Sequence, residues 1–357
     1  MTGHHIDPAR VDAVVLVGGK GTRLRPLTIA TPKPLLPTAG VPFLTHLLSR
    51  IADAGIEHVV LGTSYKAQTF EEEFGDGSKL GLQIEYVTEE EPLGTGGGIA
   101  NVAPKLRHDT VMVFNGDVLS GMNLQHLLET HGDHEADVTL HLVRVNDARA
   151  FGSVPTDADG NVLAFLEKTE DPPTDQINAG TYVFKRDVID RIPVGREVCP
   201  ALLASGAKVC GFVDSSYWRD MGTPDDFVHG SADLVRGVAP SPALGARRGE
   251  SLVHDGASVA PGAVLIGGTV VGRGAEIGPG VRLDGAVIFE GARIEAGAAV
   301  ERSIVGSGAR IGLRARIRDA VIGDGADIGA RCELLRGARV WPGVFIPDCG
   351  IRYSSDI

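Results

Sequence analysis

The chain has 357 residues, of which 43% are hydrophobic and 22% charged, and its formal net charge is −12. This length favours two domains, and this composition is ordinary for a protein with a substantial core. The acidic balance argues against a general binder of nucleic acid or of anionic membranes, because both need a basic surface. The sequence has no stretch long and apolar enough to span a bilayer, and its four cysteines lack metal-ligand spacing, so we expect reduced thiols in a cytoplasmic protein.

A short apolar run, VDAVVLV (11–17), predicts a buried parallel strand that ends in glycines. The segment that overlaps its end, VLVGGKGTRLRPLT (16–29), combines glycines with cations, and this combination lets a loop approach phosphate closely. Its spacing matches neither common nucleotide motif, because Gly21 follows Lys20, position 14 is Val and position 24 is Leu. The segment therefore has the residue types of a phosphate-binding loop, but the spacing of neither common motif.

Helical and extended patterns alternate over the following residues. FLTHLLSRIADAG (43–55) predicts a helix, and apolar runs at 58–62, 82–87, 110–117 and 136–145 predict strands. Such alternation predicts an α/β domain with a doubly wound, mostly parallel sheet, in which ligands bind at the carboxyl ends of strands. The glycine loop and Asp117 both fall at such ends, which favours a ligand site there.

The last third of the chain is repetitive. After the Pro- and Ala-rich stretch VAPSPALGARRGE (238–250), an aliphatic residue recurs about every six positions from Val253 to Ile346. Three such hexapeptides can form one coil of a solenoid, with the aliphatic residue inward and glycine at the corners. The pattern is typical of a left-handed parallel β-helix of five to six coils, although a generic glycine-rich β region is the alternative. The predicted organisation is a domain at 1–237, a linker at 238–250, and a β-helix with a short tail at 251–357.

Six motifs occur in order: GGKGTRLRPLT…PKPLLP, EPLGTGGG, FNGD, EKTE, INAGTYVF and YWRDMGTPDDF. Together they resemble the sugar-1-phosphate nucleotidylyltransferases, and a β-helix after such a domain is similar to the mannose-1-phosphate guanylyltransferases. The resemblance covers nearly the whole chain. It implies that GTP and mannose 1-phosphate react by in-line attack of the sugar phosphate on the α-phosphate, with Mg²⁺, to give GDP-mannose and pyrophosphate.

The resemblance also implies which residues bind the nucleotide and the metal. Arg23 suits a bidentate grip on phosphate oxygens, and Lys33, flanked by prolines, would face the α-phosphate. Asp117 and Asp220 are the implied Mg²⁺ ligands, since this ion prefers carboxylates together with substrate phosphates. Arg23, Lys33 and Asp117 are the expected catalytic residues. The expected nucleotide-binding residues are Leu16, Gly18, Gly19, Gly21, Thr22, Arg23, Lys33, Glu89, Gly94 and Thr95.

Glu89 bears on the choice of base. A carboxylate can accept hydrogen bonds from both adjacent donors of guanine, whereas an amide suits uracil or thymine better, so Glu89 favours GTP. The alternatives are that Glu90 or Glu91 occupies this place, or that all three form a solvated acidic run. Further along, Asp225 and Asp226 are expected in the first turn of a helix capped by Thr223.

The resemblance assigns sugar-phosphate binding to Gly152, Glu167, Lys168, Asn178 and Gly180. Glu167 and Lys168 are adjacent, so on a strand they would point to opposite faces, and a bulge or turn is needed to bring both to one ligand. The alternative is a ribbon with exposed charges. The segment VGREVCPALLA (194–204) is shorter than in similar enzymes, which leaves either a short loop with intact activity or a damaged acceptor side.

Other functions stay open at this point. One is a glucose-1-phosphate nucleotidylyltransferase that uses UTP, dTTP or ATP, and another is a non-catalytic regulatory subunit that senses nucleotide-sugar. A hexapeptide-repeat acyltransferase would need a histidine in an intersubunit groove, and between 251 and 345 the sequence contains only His254. We therefore expect a structural β-helix that supports a homo-oligomer.

Overall fold

The computed structural model describes residues 5–91, 93–192, 198–246 and 248–352. These residues form two compact units. We call residues 5–19 and 47–218 the sheet unit, and residues 20–46 and 219–352 the solenoid unit. The predicted domain boundaries at 237 and 250 stay predictions. Part of the shortened segment, residues 194–197, lies outside the described residues.

Strands and helices alternate along the first two thirds of the chain. The strands are β1 (Val11–Leu16), β2 (Pro37–Thr38), β3 (Val41–Pro42), β4 (His58–Thr63), β5 (Gln83–Thr88), β6 (Thr110–Asn115), β7 (Val118–Ser120), β8 (Val138–Arg144), β9 (Gln176–Lys185), β10 (Val209–Asp214) and β11 (Trp218–Asp220). The α-helices are α1 (Phe43–Asp53), α2 (Ala67–Phe74), α3 (Gly94–Val102), α4 (Leu124–Asp133), α5 (Arg186–Ile189), α6 (Val198–Ala204) and α7 (Pro224–Arg236).

The sheet unit is built on a seven-stranded sheet in the order β10-β8-β9-β6-β1-β4-β5. All neighbouring strands are parallel except β9, which runs antiparallel to both β6 and β8. The central strands are apolar on both faces, as parallel strands covered by helices must be, and Val14, Val60 and Val113 are fully buried. The predicted mostly parallel α/β sheet is therefore confirmed. Its predicted fourth strand is shorter than expected, since β6 ends at Asn115 and Asp117 lies in the turn before β7.

The solenoid unit contains three stacks of short parallel strands. These strands are β12 (Ser251–Val253), β13 (Ser258–Val259), β14 (Val264–Ile266), β15 (Thr269–Val271), β16 (Glu276–Ile277), β17 (Arg282–Asp284), β18 (Val287–Ile288), β19 (Arg293–Ile294), β20 (Ala299–Glu301), β21 (Ile304–Val305), β22 (Arg310–Ile311), β23 (Arg316–Arg318), β24 (Val321–Ile322), β25 (Asp327–Ile328), β26 (Glu333–Leu334), β27 (Arg339–Val340) and β28 (Phe345–Ile346). Every third strand joins the same sheet, which gives sheets of six, six and five strands.

The coils confirm the predicted left-handed β-helix and its inward aliphatic residues. Val253 pairs with Val271, eighteen residues on, and Val271 pairs with Ile288, seventeen residues on. Residues at equivalent positions of successive coils therefore stack on one another and form one apolar interior. The first coil differs, because Val253 and Val259 are exposed at the open end.

Helix α7 belongs to the solenoid unit and packs against its first coils. A Cβ on Gly268 would lie 2.6 Å from the Cα of Ala232, so only glycine allows this approach. The helix begins as expected, with Thr223 as N-cap accepting from the backbone N–H of Asp226 at 3.2 Å. It places the segment that precedes it, residues 219–222, at a defined position.

His254 has a structural contact in this unit. Its Nε2 lies 3.2 Å from the carbonyl oxygen of Ala39, and a Cβ on Gly40 would clash with the imidazole ring. The ring thus ties the first coil to the segment between β2 and β3. This contact gives His254 a structural role.

Candidate functional site

The carboxyl ends of β1 and β6 bring the start of the glycine loop beside the turn that carries Asp117. Leu16 pairs with Asn115, and the backbone N–H of Gly116 donates to the carbonyl of Leu16 at 2.9 Å. A Cβ on Gly116 would lie 2.8 Å from that carbonyl oxygen, so glycine is needed for this approach. Asp117, which is half-buried, follows directly at the same edge of the sheet.

Gly18 continues the loop over the end of the neighbouring strand. The Ser64 hydroxyl, just after β4, donates to the carbonyl of Gly18. A Cβ on Gly18 would lie 3.0 Å from that hydroxyl oxygen and 3.7 Å from Glu89 Oε2. Gly19 has open space on its side-chain position. The side-chain position of Gly18 therefore faces Ser64 and Glu89.

Glu89 is the inward member of its acidic run, since Glu90 and Glu91 are exposed. Its Oε2 accepts from the backbone N–H of Leu93 at 3.3 Å. Its Oε1 lies against helix α3, where a Cβ on Gly98 would come within 2.7 Å of it. The carboxylate is therefore held at a fixed place near the loop, and the interpretation of a wholly solvated acidic run is wrong for this residue.

Helix α3 supplies backbone N–H groups to the same edge of the sheet. It starts at Gly94, whose φ of +68° favours glycine, and both Gly94 and Thr95 are exposed. The first amides of a helix lack intrahelical partners and carry partial positive charge, which suits an anion. Leu16 packs near Gly98 of this helix, at 3.3 Å from its Cβ position.

The solenoid unit holds the predicted cations together around Asp220. Arg23 Nη2 and Lys33 Nζ each lie 4.0 Å from a different oxygen of the Asp220 carboxylate. Lys33 is buried, with 7% of its surface exposed, whereas the Arg23 side chain is largely exposed. At 4.0 Å these are ion pairs without direct hydrogen bonds, so one carboxylate lies between two separate cations.

Neighbouring residues explain why Asp220 faces these cations. Arg219 pairs with Asp226 and Asp233 of α7, and Met221 packs against Gly230 of the same helix. Side chains alternate along an extended chain, so Asp220 points away from α7.

Two glycines bring the cations close. Gly21 has φ +58°, and its Cβ position lies 3.0 Å from Lys33 Cβ, while the Thr28 hydroxyl donates to its carbonyl at 2.8 Å. A Cβ on Gly222 would meet the Arg23 guanidinium at 2.7 Å. Thr22 is exposed in the short 3₁₀ turn between Gly21 and Arg25.

The residues predicted to bind the sugar phosphate converge within the sheet unit. Ser153 forms antiparallel bridges with Leu166 and with Ile177, the residue before Asn178. A Cβ on Gly152 would lie 2.8 Å from the carbonyl oxygen of Leu166. These contacts make neighbours of Gly152, Glu167 and the start of the INAG motif.

Gly180 connects this cluster to the carboxyl end of β6. Its φ is +80° at the register shift between β8 and β9, and its Cβ position lies 2.8 Å from Asn115 Nδ2. The Asn178 amide donates to the Tyr182 hydroxyl at 2.7 Å and accepts from the Gly180 N–H at 3.0 Å. The bulge that glycine permits therefore aims Asn178 at a fixed partner beside β6.

Glu167 and Lys168 do not lie on a strand. Both are exposed and follow the bridge residue Leu166 in irregular backbone. The strand alternation that was expected to separate their side chains therefore does not apply.

One cluster of ionisable groups with shifted pKa values lies at the opposite, amino end of the sheet. Asp12 is buried, which by itself raises its pKa, but hydrogen bonds from His58, His108 and Arg107 outweigh burial and lower the pKa. Hydrogen bonds from Lys105 and Arg107 lower the pKa of Glu85 to about 2. This charged cluster joins strands at their starts, away from the ligand edge, and is structural.

The sequence analysis did not predict four residues of the site, namely Ser64, Gly98, Asn115 and Gly222. Each touches a predicted site residue, but a serine, an asparagine and two glycines carry no chemistry that marks them. Their only signal is a position at a strand end or inside a motif.

The donor set for a metal is limited. The described residues contain no group of three or more His, Cys, Asp or Glu side chains that could hold an ion. A cation here would therefore need carboxylates supplemented by ligand oxygens, which is the coordination that Mg²⁺ accepts and a structural zinc site does not. None of the helices in the described ranges has the length and apolarity that a bilayer crossing requires.

Comparisons with known proteins agree with this arrangement. A family model described as nucleotidyl transferase matches residues 12–237, and one described as the GMPPB C-terminal domain matches residues 247–352. A mannose-1-phosphate guanylyltransferase of Mycobacterium tuberculosis is 78% identical over 355 residues, which are 98% of this chain and 99% of that protein.

More distant relatives match about three fifths of the chain. A mannose-1-phosphate guanylyltransferase catalytic subunit beta of Drosophila melanogaster is 36% identical over 226 residues, or 61% of each chain. The crystal structure of HddC from Yersinia pseudotuberculosis, complexed with GMP-PN, is 30% identical with a TM-score of 0.55. The match covers 62% of this chain and 99% of the HddC chain.

Proposed function

Because the chain belongs to the mannose-1-phosphate guanylyltransferase family of nucleotidyl transferases, we propose that it transfers a guanylyl group from GTP to mannose 1-phosphate. The products are GDP-mannose and pyrophosphate. The observation that carries this proposal is the convergence of Arg23 and buried Lys33 on Asp220. Two cations held this close suit a ligand with several adjacent negative charges.

The proposed reaction needs positioning and charge neutralisation more than proton transfer. A phosphate oxygen of mannose 1-phosphate attacks the α-phosphorus in line and forms the new P–O bond, while the bond to the β-phosphate oxygen breaks and pyrophosphate leaves. The attacking oxygen is already anionic, so no protein nucleophile is required. Lys33 and Arg23 offset the charge that two repelling anions bring together.

Asp117 and Asp220 are the residues that would hold a divalent cation, proposed as Mg²⁺. When bound, the cation would neutralise phosphate oxygens next to the reacting phosphorus. The two carboxylates belong to different units, so this proposal rests on their donor chemistry. Asp220 has a second role in the proposal, because it orients Arg23 and Lys33.

Glu89 is proposed to read the guanine base, and the loop residues Gly18, Gly19 and Gly21 to carry the triphosphate. Leu16, Thr22, Gly94 and Thr95 complete the proposed nucleotide site. The support is the fixed, inward carboxylate of Glu89 beside Gly18. The HddC structure, which has GMP-PN bound, supports the choice of a guanine nucleotide.

The mannose 1-phosphate site is proposed at Gly152, Glu167, Lys168, Asn178 and Gly180. Glu167 would accept from sugar hydroxyls, and the Lys168 ammonium would bind the phosphate. The support is the neighbourhood of these residues beside β6.

The activity is tested by pyrophosphate release with Mg²⁺, each of four nucleoside triphosphates, and mannose or glucose 1-phosphate. We expect the fastest release with GTP and mannose 1-phosphate. Faster release with UTP, dTTP or ATP and glucose 1-phosphate would show the other specificity. GDP-mannose binding without turnover would instead indicate a regulatory subunit.

The role of Lys33 is tested against a matched lysine in the same segment. Lys33→Ala removes a buried cation, and we expect kcat/KM to fall by about 10²-fold or more. Lys20→Ala, which changes an exposed lysine, should alter kcat/KM little. Equal losses in both variants would contradict the specific role of Lys33.

The proposed recognition of the guanine base by Glu89 is tested by Glu89→Gln, with Glu90→Gln as control. The first variant should weaken GTP use and admit a pyrimidine nucleotide, because an amide presents one donor and one acceptor. The second changes an exposed neighbour and should leave base preference as it is. Unchanged preference in Glu89→Gln would mean that another residue reads the base.

We also propose the organisation in which this function operates. The catalytic domain spans 1–237, the linker 238–250 and the β-helix 251–357, in a cytoplasmic homo-oligomer joined through the β-helix. The free thiols of Cys210, Cys332 and Cys349 fit a reducing compartment. Trp341 and Phe345, exposed near the end of the coils, offer apolar area for assembly, and sedimentation would measure it.

A further inference from the structure

One arginine of the β-helix contacts the backbone of the glycine loop within the solenoid unit. Arg339 begins β27, and because side chains alternate along a strand, Val340 points into the coil while Arg339 points outward. Arg339 Nη1 donates to the carbonyl oxygens of Arg23 at 2.8 Å and of Arg25 at 2.7 Å. Each terminal guanidinium nitrogen carries two hydrogens, so this single atom serves both acceptors.

The two carbonyl groups at the start of this turn are held locally. The Thr28 hydroxyl donates to the carbonyl of Gly21 at 2.8 Å, and the Arg25 N–H donates to that of Thr22 at 3.2 Å. The carbonyl groups of Arg23 and Arg25 receive their hydrogen bonds from the coil instead. The main chain on both sides of residue 24 is therefore anchored to the β-helix.

The anchored backbone carries a side chain of the proposed phosphate site. The Arg23 guanidinium lies 4.0 Å from Asp220, beside the Cβ position of Gly222. The place that this guanidinium can reach depends on the position of its own main chain, and the Arg339 contact fixes that position. Charge-assisted hydrogen bonds from a planar donor restrict geometry more than a single ammonium does.

We propose that Arg339 is a positioning residue for nucleotide binding, through which the β-helix holds the turn at 22–25 so that Arg23 meets the phosphates. The identity of the nucleotide rests on the proposed function, but the hold on the turn does not. The competing explanation is that the positive charge of Arg339 simply attracts the nucleotide. This explanation predicts no change in the turn when nucleotide is absent.

The test is hydrogen exchange of the full chain without nucleotide, followed by kinetics. In Arg339→Met we expect amides at 20–29 to exchange about fivefold faster than in the wild type. Arg293→Met, which changes an exposed coil arginine paired with Glu276, should leave these amides unchanged. Arg339→Lys keeps the positive charge but replaces the planar guanidinium by a single ammonium, so it should restore only part of the protection.

In kinetics, Arg339→Met should raise the KM for GTP about fivefold and leave the KM for mannose 1-phosphate unchanged. Unaltered exchange at 20–29, or equal acceleration in Arg293→Met, would overturn the inference. A wild-type protein that forms no GDP-mannose would refute the proposed function, while the exchange comparison would still decide the role of Arg339.

Discussion

The coils are made of parallel strands and the seven-stranded sheet mostly so, but the two differ in whether equivalent residue positions repeat. In the coils each inward residue stacks on its equivalent seventeen or eighteen residues away, so positions repeat. In the sheet β1 pairs with β4 and β6, which lie far apart in sequence, and each strand end carries different side chains. Repetition suits a scaffold, whereas unequal strand ends are needed to assemble a site.

Charges follow the same division. The sheet unit buries Asp12 completely, with three hydrogen bonds from His58, Arg107 and His108. The ion pairs of the coils, such as Arg302 with Asp319 at 2.8 Å, are exposed to solvent. A buried ion is costly to leave unpaired, whereas an exposed pair contributes little.

The largest expected effect is on activity, and it compares an aspartate of the sheet unit with an aspartate of the coils. Asp117→Asn, at the end of β6, should lower kcat by about 10²-fold or more if this carboxylate supports the reaction as proposed. Asp319→Asn, in a coil, should leave steady-state kinetics unchanged. Similar kinetics for both variants would remove the functional contrast between sheet and coils.

The next effect is on stability and tests the contrast in charges. Asp12→Asn removes the ion that accepts from His58 and from two backbone amides, and we expect unfolding to become easier by about 3–5 kcal/mol. Asp319→Asn removes half of an exposed pair and should cost less than about 1 kcal/mol. Urea denaturation of both variants provides the comparison, and equal losses would contradict it.

A third prediction concerns the repeated interior. Ile311 is fully buried in the coils, so Ile311→Ala should destabilise the protein by about 2–5 kcal/mol through lost burial and a cavity. Because positions are equivalent, Ile328→Ala one coil later should give a similar loss. Denaturant unfolding that shows widely different losses for the two would argue against equivalent coils.

The smallest effect, about 1.4 kcal/mol for one histidine between pH 6.5 and 5.5, is a dependence of stability on pH to which buried histidines of the sheet unit contribute. Burial lowers the pKa of His131 and of His141 to about 4 from 6.5. Between these values the unfolded chain binds protons that the folded chain does not, so stability falls as pH drops from about 6.5 toward 4. Each group contributes a slope of about 1.4 kcal/mol per pH unit.

The variant His131→Gln isolates one of these groups. Unfolding free energies measured at pH 7.5 and 5.5 should show a shallower slope than in the wild type. His126→Gln, which changes an exposed histidine on the same helix α4, should keep the wild-type slope. A wild-type slope in His131→Gln would contradict the assignment.

Much of the architecture follows from the sequence alone. The six-residue period predicted the coils and their inward residues, because stacking repeats the same local environment. Alternating apolar runs predicted the parallel sheet and placed the glycine loop and Asp117 at its carboxyl edge. The types of residue, an arginine and a lysine near glycines, indicated phosphate chemistry, since that chemistry depends on composition and spacing.

Side-chain directions outside regular structure were decided by the tertiary structure. Glu89 rather than Glu90 turns inward because Gly98 of a separate helix leaves room for its carboxylate. Asp220 faces Arg23 and Lys33 because the residues on either side of it pack on α7. Loop backbones lack a repeating geometry, so contacts from distant segments set where their side chains point, and no local pattern encodes those contacts.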